Sequence, residues 1–120
     1  PSMMSEDFSF EIQFFENLYK RDTRDIRVIE ILGHLYTKEG QLDDGLRMDR
    51  RLVRLKPEDP LAHYNLACSL ALKDRKRDAV KSLQAAIDLG YSDLDWLQSD
   101  PDLKDLHGYE AFQELVAQLE

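Results

Sequence analysis

The sequence predicts an all-α fold, in which antiparallel helix-turn-helix repeats stack as a short solenoid and are closed by C-terminal capping helices. Three observations lead to this prediction. The chain repeats with a period of 34 residues, its apolar positions follow helical spacing within each copy, and an aspartate recurs where each copy begins. Periods of roughly 20–50 residues are typical of stacked repeat architectures.

The period aligns residues 26–59 with residues 60–93 without a gap. Aligned positions share apolar or small character, as in Leu32 with Leu66, Gly33 with Ala67, Tyr36 with Leu70, Gly45 with Ala79, Leu46 with Val80, Val53 with Ile87 and Leu55 with Leu89. Within each copy the apolar residues recur at steps of three and four, which predicts two helices per copy.

Helix boundaries are marked by residues with defined local roles. Asp25, Asp59 and Asp93 are 34 residues apart, and each can accept hydrogen bonds from the free N–H groups of a first helical turn. Pro60 follows Asp59 at a position that suits proline. Gly40 marks the turn between the two helices of the first copy. We expect the second copy to turn at Asp74.

The same register extends toward the N-terminus. It places Ile12, Phe15, Leu18 and Tyr19 over Leu46, Asp49, Leu52 and Val53. Residues 9–25 therefore represent the second half of a preceding copy, without its first helix. An apolar flank at Phe8, Phe10, Phe14 and Phe15 must then be capped or paired. Self-association of the chain through this flank is the alternative to binding a partner in a groove. Residues 1–8 are expected to form a flexible leader, and Pro1-Ser2 ahead of Met3 resembles residue left by cloning, so we expect a longer natural protein.

Residues 94–120 depart from the repeat and predict a cap. Asp100-Pro101 is expected to start a short helix that Gly108 ends. A final amphipathic helix is marked by Tyr109, Phe112, Leu115, Val116 and Leu119. We expect Trp96 to anchor this cap on the second repeat. Residues 9–120 are thus expected to form a single domain of half repeat 9–25, repeats 26–59 and 60–93, and cap 94–120.

The pattern of Leu66-Ala67, Leu70, Ala79, Leu83 and Ala86, with Leu55-Lys56-Pro57 at the end of a copy, resembles the tetratricopeptide repeat. With the half repeat, this resemblance covers about 85 of 120 residues. Leu52, Asp49 and Tyr91 depart from the usual alanine, large apolar residue and proline. The tail, through Asp100-Pro101-Asp102-Leu103, Leu106 and Phe112, resembles the closing element of bacterial arrays. The resemblance implies a right-handed superhelix that binds a protein or peptide in a concave groove.

The first helix of each pair is expected to line that groove. The predicted lining consists of Arg27, Glu30, His34 and Lys38 on a charged wall, and Leu61, Tyr64, Cys68 and Leu72 on an apolar wall. The expected ligand presents an apolar anchor to the second wall and an acidic group near Arg27 or Lys38. Asn65 matches one position of the family's carboxylate clamp. Glu30 and His34 stand where that clamp needs a lysine and an asparagine, so we expect no clamp.

Composition and charge restrict the function further. The chain is 42% apolar and 33% charged, with a net charge of −8, and its last 33 residues hold nine acids against Lys104. An acidic tail repels phosphate, so we expect no nucleic-acid ligand. The sequence carries no phosphate loop, nucleophile elbow or His-Glu-x-x-His motif, so we expect no enzyme, metal or cofactor. It has no apolar run of membrane-spanning length, and its single cysteine favours a reducing, cytoplasmic location.

A set of basic residues and one aspartate each have two possible interpretations. Basic residues recur at helical spacing and continue in the next turn; they are Arg47, Arg50, Arg51, Arg54, Lys73, Arg75, Lys76 and Arg77. They either bind an acidic partner or RNA, or form a solvated outer face, and we favour the solvated face. Asp49 either points into the stack beside a base or rotates outward. The outward orientation is the expected one, because burying a carboxylate is costly.

Overall fold

The computed structural model describes residues 7–120, which form seven α-helices and one 3-10 helix. The α-helices are α1 Ser9–Arg21, α2 Ile26–Lys38, α3 Leu42–Leu55, α4 Pro60–Leu72, α5 Lys76–Asp88, α6 Leu94–Ser99 and α7 Glu110–Leu119. The 3-10 helix, Pro101–Leu106, lies between α6 and α7. Consecutive helices from α1 to α5 pack on one another, which confirms the predicted all-α stack of antiparallel helix pairs. Most of the predicted leader, residues 1–6, lies outside the described residues.

The recurring aspartates begin helices as predicted. Asp25 accepts hydrogen bonds from the backbone N–H groups of Arg27 and Val28 at 3.1 and 3.3 Å. Asp59 and Asp93 cap α4 and α6 in the same way. These side chains satisfy backbone donors that have no partner within a first helical turn.

Both predicted turns have left-handed backbone geometry. Gly40, with φ of 77°, separates α2 from α3, and Asp74, with φ of 59°, separates α4 from α5. Aspartate tolerates this conformation better than most residues because its short polar side chain can hydrogen-bond locally. The second copy therefore reproduces the turn of the first without a glycine.

Small residues let the two helices of each pair approach closely. A Cβ added to Gly45 would lie 2.9 Å from Thr37 Oγ1 and 3.5 Å from the carbonyl oxygen of Gly33. One period later, Ala67 and Ala79 are fully buried in the same positions. The paired small residues of the sequence thus mark the contact between helices.

Buried side chains form two adjoining cores. One lies among α1, α2 and α3, and the other joins α4 and α5 to the capping helices, with Val53 packed against both. The cap contributes Leu97, Leu103 and Leu106, which are fully buried. Trp96 is 48% exposed, so its prediction as the anchor is wrong. Neighbouring residues on a helix point about 100° apart, and it is Leu97 that faces the core.

Helix α1 is buried on one side and exposed on the other. Ile12 is buried against α2, and Tyr36 donates a hydrogen bond to Glu16 at 2.5 Å. The opposite side of α1 leaves Phe10 76% and Phe14 51% exposed. Of the predicted apolar flank, Phe10 and Phe14 are therefore exposed, whereas Phe8 and Phe15 are partly buried against the core of α1, α2 and α3.

Candidate functional site

A cavity of about 260 Å³ lies where α2, α4 and the cap meet. Its lining comes from the facing sides of α2 and α4, from α3 beneath them and from the cap, and comprises Glu30, Gly33, His34, Thr37, Asp49, Leu52, Tyr64, Asn65, Cys68, Ser69, Leu72, Trp96, Asp100 and Asp102. The repeats supply the floor and two walls. The cap supplies the third wall.

Five of the eight predicted groove residues line this cavity, namely Glu30, His34, Tyr64, Cys68 and Leu72. The other three lie outside it. Lys38 places its Nζ atom 5.7 Å from the centre of the Phe8 ring, and Arg27 and Leu61 are exposed elsewhere. The cations expected to receive an acidic ligand group therefore do not line the cavity.

Tyr64 and Cys68, which were predicted as part of an open groove lining, are instead buried. Tyr64 stacks on Tyr91 at a centroid distance of 4.6 Å and donates a hydrogen bond to Asp100 at 2.6 Å. Cys68 lies 3.6 Å from the same carboxylate. The cap covers both side chains, so they form the buried edge of the cavity. A signal was present in the sequence, because α4 is apolar on nearly all sides and such a helix is usually buried.

Burial raises the pKa of both the Tyr64 and the Cys68 side chain. It raises the pKa of the Tyr64 hydroxyl well above its usual range, and the hydrogen bond to Asp100 acts in the same direction. Burial also raises the pKa of the Cys68 thiol, with a further contribution from the negative charge of Asp100. Both groups therefore stay protonated at neutral pH and act as donors to that carboxylate.

Asp49 points into the stack, so its expected outward rotation is wrong. It accepts a hydrogen bond from the Ser69 hydroxyl on α4. A Cβ on Gly33 would lie 3.1 Å from its Oδ1 atom, so the glycine provides the space that the carboxylate occupies. Burial raises the pKa of Asp49 to about 7, although the Ser69 hydrogen bond lowers it in part. The side chain is partly protonated at neutral pH.

The cap adds two further acids to the cavity. Asp100 is buried and accepts from Tyr64 through Oδ2 and from the Asp102 backbone N–H through Oδ1. The pKa of Asp102 is raised by partial burial and by the charge of Asp100, while His34 lowers it. The cap therefore makes one wall of the cavity acidic, in contrast to the apolar wall that the repeat pattern predicts.

Cys68, Asp100 and Asp102 are the one group of three potential metal ligands whose donor atoms lie together, within 4.8 Å, in the part of the chain that the structure describes. Metal binding requires the thiolate. Here the thiol is protonated, and both oxygens of Asp100 already accept hydrogen bonds. These contacts explain the cluster as a junction between α4 and the cap.

The predicted basic set makes local contacts away from the cavity. Lys73 pairs with Asp43 at 2.5 Å and Arg47 with Asp44 at 3.1 Å. Arg51 donates to the carbonyl oxygen of Thr23 at 2.9 Å. Exposed pairs of this kind contribute little to stability. They are consistent with a solvated outer face.

Fold and cavity together define a tetratricopeptide-like helical solenoid with a capped C-terminal end. Two crystal structures of MamA share this fold, with TM-scores of 0.74 and 0.73 over 99% and 98% of this chain. The chain covers 72% and 67% of those proteins, and each is 20% identical in sequence. No protein-family profile matches the sequence.

Among curated proteins, the chain is similar to a chloroplastic protein from Arabidopsis thaliana. The two are 28% identical over 114 residues, which is 92% of this chain. The chain spans about a third, 34%, of the length of that relative. Within residues 7–120, no helix combines the length and the apolar character needed to cross a membrane.

Proposed function

We propose that this chain is a protein-interaction module, not an enzyme, that binds a peptide or a segment of another protein in the cavity between α2, α4 and the cap. The observation that carries the proposal is the cavity itself, which opens between the first helices of two successive repeats. Stacked helix repeats generally present such concave surfaces to their partners. The division of residues 9–120 into a half repeat, two repeats and a cap belongs to the same proposal.

The cavity, at about 260 Å³, is large enough to receive one side chain of a bound segment. A bound segment would insert one anchoring side chain and lie along the exposed residues of α2 and α4. The fold of MamA supports a scaffold of this type, and a reducing, cytoplasmic location stays a prediction.

Random peptides displayed on phage provide the test. Asn65 is exposed on α4 and lines the cavity, so Asn65→Trp fills the site without disturbing the core. We expect selected peptides to lose at least about tenfold in affinity for this variant, measured by fluorescence anisotropy, because a filled pocket excludes the anchor. Lys81→Trp, at an exposed position on α5, is the control and should bind as the unmodified protein does. Equal binding by both variants would show that the peptides do not bind in the cavity.

A second candidate function is self-association through α1. Phe14 is 51% exposed, whereas Met48, one period later, is 1% exposed because helices cover it. The exposed flank can bury apolar area against a second copy of the chain. Light scattering at high concentration should show a dimer that Phe14→Ser dissolves, and Leu61→Ser, at a similarly exposed leucine on α4, should leave it intact. A monomer at all concentrations excludes this candidate.

A further inference from the structure

The cavity carries negative charge, which is the same sign as the acidic ligand group that the sequence predicts. Four carboxylates line it, from Glu30, Asp49, Asp100 and Asp102, and among the described residues neither a lysine nor an arginine does. His34 is the other group there that can carry positive charge. The acidic lining is contributed by α2, α3 and the cap, so it belongs to the cavity as a whole.

Within residues 7–120, these carboxylates form no ion pair with a lysine or arginine of the chain. The ion pairs of that part of the chain join Arg47 to Asp44, Lys56 to Asp59, Lys73 to Asp43 and Lys76 to Asp74. Each of them involves acids outside the cavity. Asp49 and Asp100 accept hydrogen bonds from within the chain, whereas Asp102 is partly removed from water without a lysine or arginine among the described residues. A positive guest beside Asp102 would offset the cost of that burial.

The other lining groups suit a long basic side chain. Trp96 lies half exposed at the cavity, and the face of a tryptophan ring attracts ammonium and guanidinium groups. Leu52 and Leu72 supply aliphatic surface for the methylene stem that lysine and arginine carry. The cavity therefore combines apolar contact for a stem with negative charge for its end.

We infer that the anchor bound in the cavity is a lysine or arginine side chain of the partner segment. This inference rests on the proposed function and specifies its ligand. Charge complementarity is its main support, and it replaces the expected acidic group. Arg27 and Lys38, which would have received that group, lie outside the cavity.

The experiment uses the full chain and the peptides that phage selection yields. We expect lysine or arginine to be enriched at one position, and replacement of that residue by norleucine to weaken binding at least about tenfold, as for a lost buried ion pair. Glu30→Lys should weaken binding by a similar factor. Glu114→Lys makes the same change at an exposed site on α7, outside the cavity, and should not. Asp102→Asn gives a milder test that keeps side-chain size.

The outcomes separate failure of the basic anchor from failure of the binding site. If Asn65→Trp weakens binding of peptides that lack a basic residue, the cavity is still the binding site. The inference of a basic anchor is then wrong. If Asn65→Trp leaves the affinity for the selected peptides unchanged, the peptides do not bind in the cavity, and both proposals are wrong. Binding that disappears in a metal chelator and returns with Zn²⁺ would also overturn the inference, because a metal ion would then neutralise the acids. Circular dichroism on each variant ensures that lost binding does not reflect lost folding.

Discussion

The two ends of the helix stack differ in how their apolar residues are covered. At the C-terminal end, the cap buries Leu97, Leu103 and Leu106 completely. At the other end of the described residues, α1 leaves Phe10 and Phe14 in contact with solvent. The repeat pattern alone gives both ends an apolar face. The difference shows that a solenoid is closed by residues that do not obey its repeat.

The largest expected effect compares the same substitution at the two ends. Phe112→Ala should lower the free energy of unfolding by about 3–5 kcal/mol, because it leaves a cavity in the packed cap. Phe10→Ala should change it by less than about 0.5 kcal/mol, since the ring is mostly exposed. Urea denaturation followed by circular dichroism measures both. Equal losses would mean that the two ends are covered alike.

A smaller effect separates two helix-capping aspartates. Asp100→Ala should cost about 2–3 kcal/mol, because it removes the cap of the 3-10 helix and leaves the buried Tyr64 hydroxyl without its acceptor. Asp25→Ala removes only a cap near the open end and should cost about 1 kcal/mol. Thermal unfolding of the two variants gives the order. The reverse order would show that Asp100 does not hold the cap to α4.

The third effect depends on pH and concerns Asp49. This residue lies one period, 34 residues, after Phe15, at the equivalent position of the repeat. Its raised pKa means that the folded state holds the proton more tightly, so the stability it contributes below about pH 4 is lost as pH rises to about 7. Asp49→Asn should therefore raise the free energy of unfolding by about 2 kcal/mol at pH 8, after allowance for solvent screening, and change it little at pH 4.

Asp43, on the same helix, should show the opposite pH dependence of its contribution to stability, which Asp43→Asn tests. The neighbouring Lys73 lowers the pKa of Asp43, so its contribution is present at neutral pH and is lost on acidification. Denaturant titrations at pH 4 and pH 8 compare the two variants. A stabilisation by Asp49→Asn that is equal at both pH values would show that this carboxylate is not buried.

Local signals in the sequence predicted most of the fold. The aspartates at 34-residue intervals marked the starts of α2, α4 and α6, and the small residues at positions 33, 45, 67 and 79 marked the contacts within helix pairs. Both signals act between neighbours in the chain or in adjacent helices, so a repeat pattern can reveal them.

The candidate site was only partly predictable. Glu30 and His34 follow from the repeat, because they lie on the open side of α2. The burial of Tyr64 and Cys68, and the position of Trp96, depend on where the cap folds back against α4. No periodicity contains that information. The orientation of Asp49 on α3 was predicted wrongly, because its burial depends on a hydrogen bond from Ser69 on the next helix, α4.

The hydrogen bond between Tyr64 and Asp100 joins the last repeat to a segment that occurs once in the chain. Because Asp100, Asp102 and Trp96 form one wall, the cavity is tied to the end of the array and not to the repeat unit. Additional repeats ahead of α1 would lengthen the solenoid without multiplying this cavity. Within residues 7–120 this cavity therefore occurs once, and a dimer of the chain would present two of them.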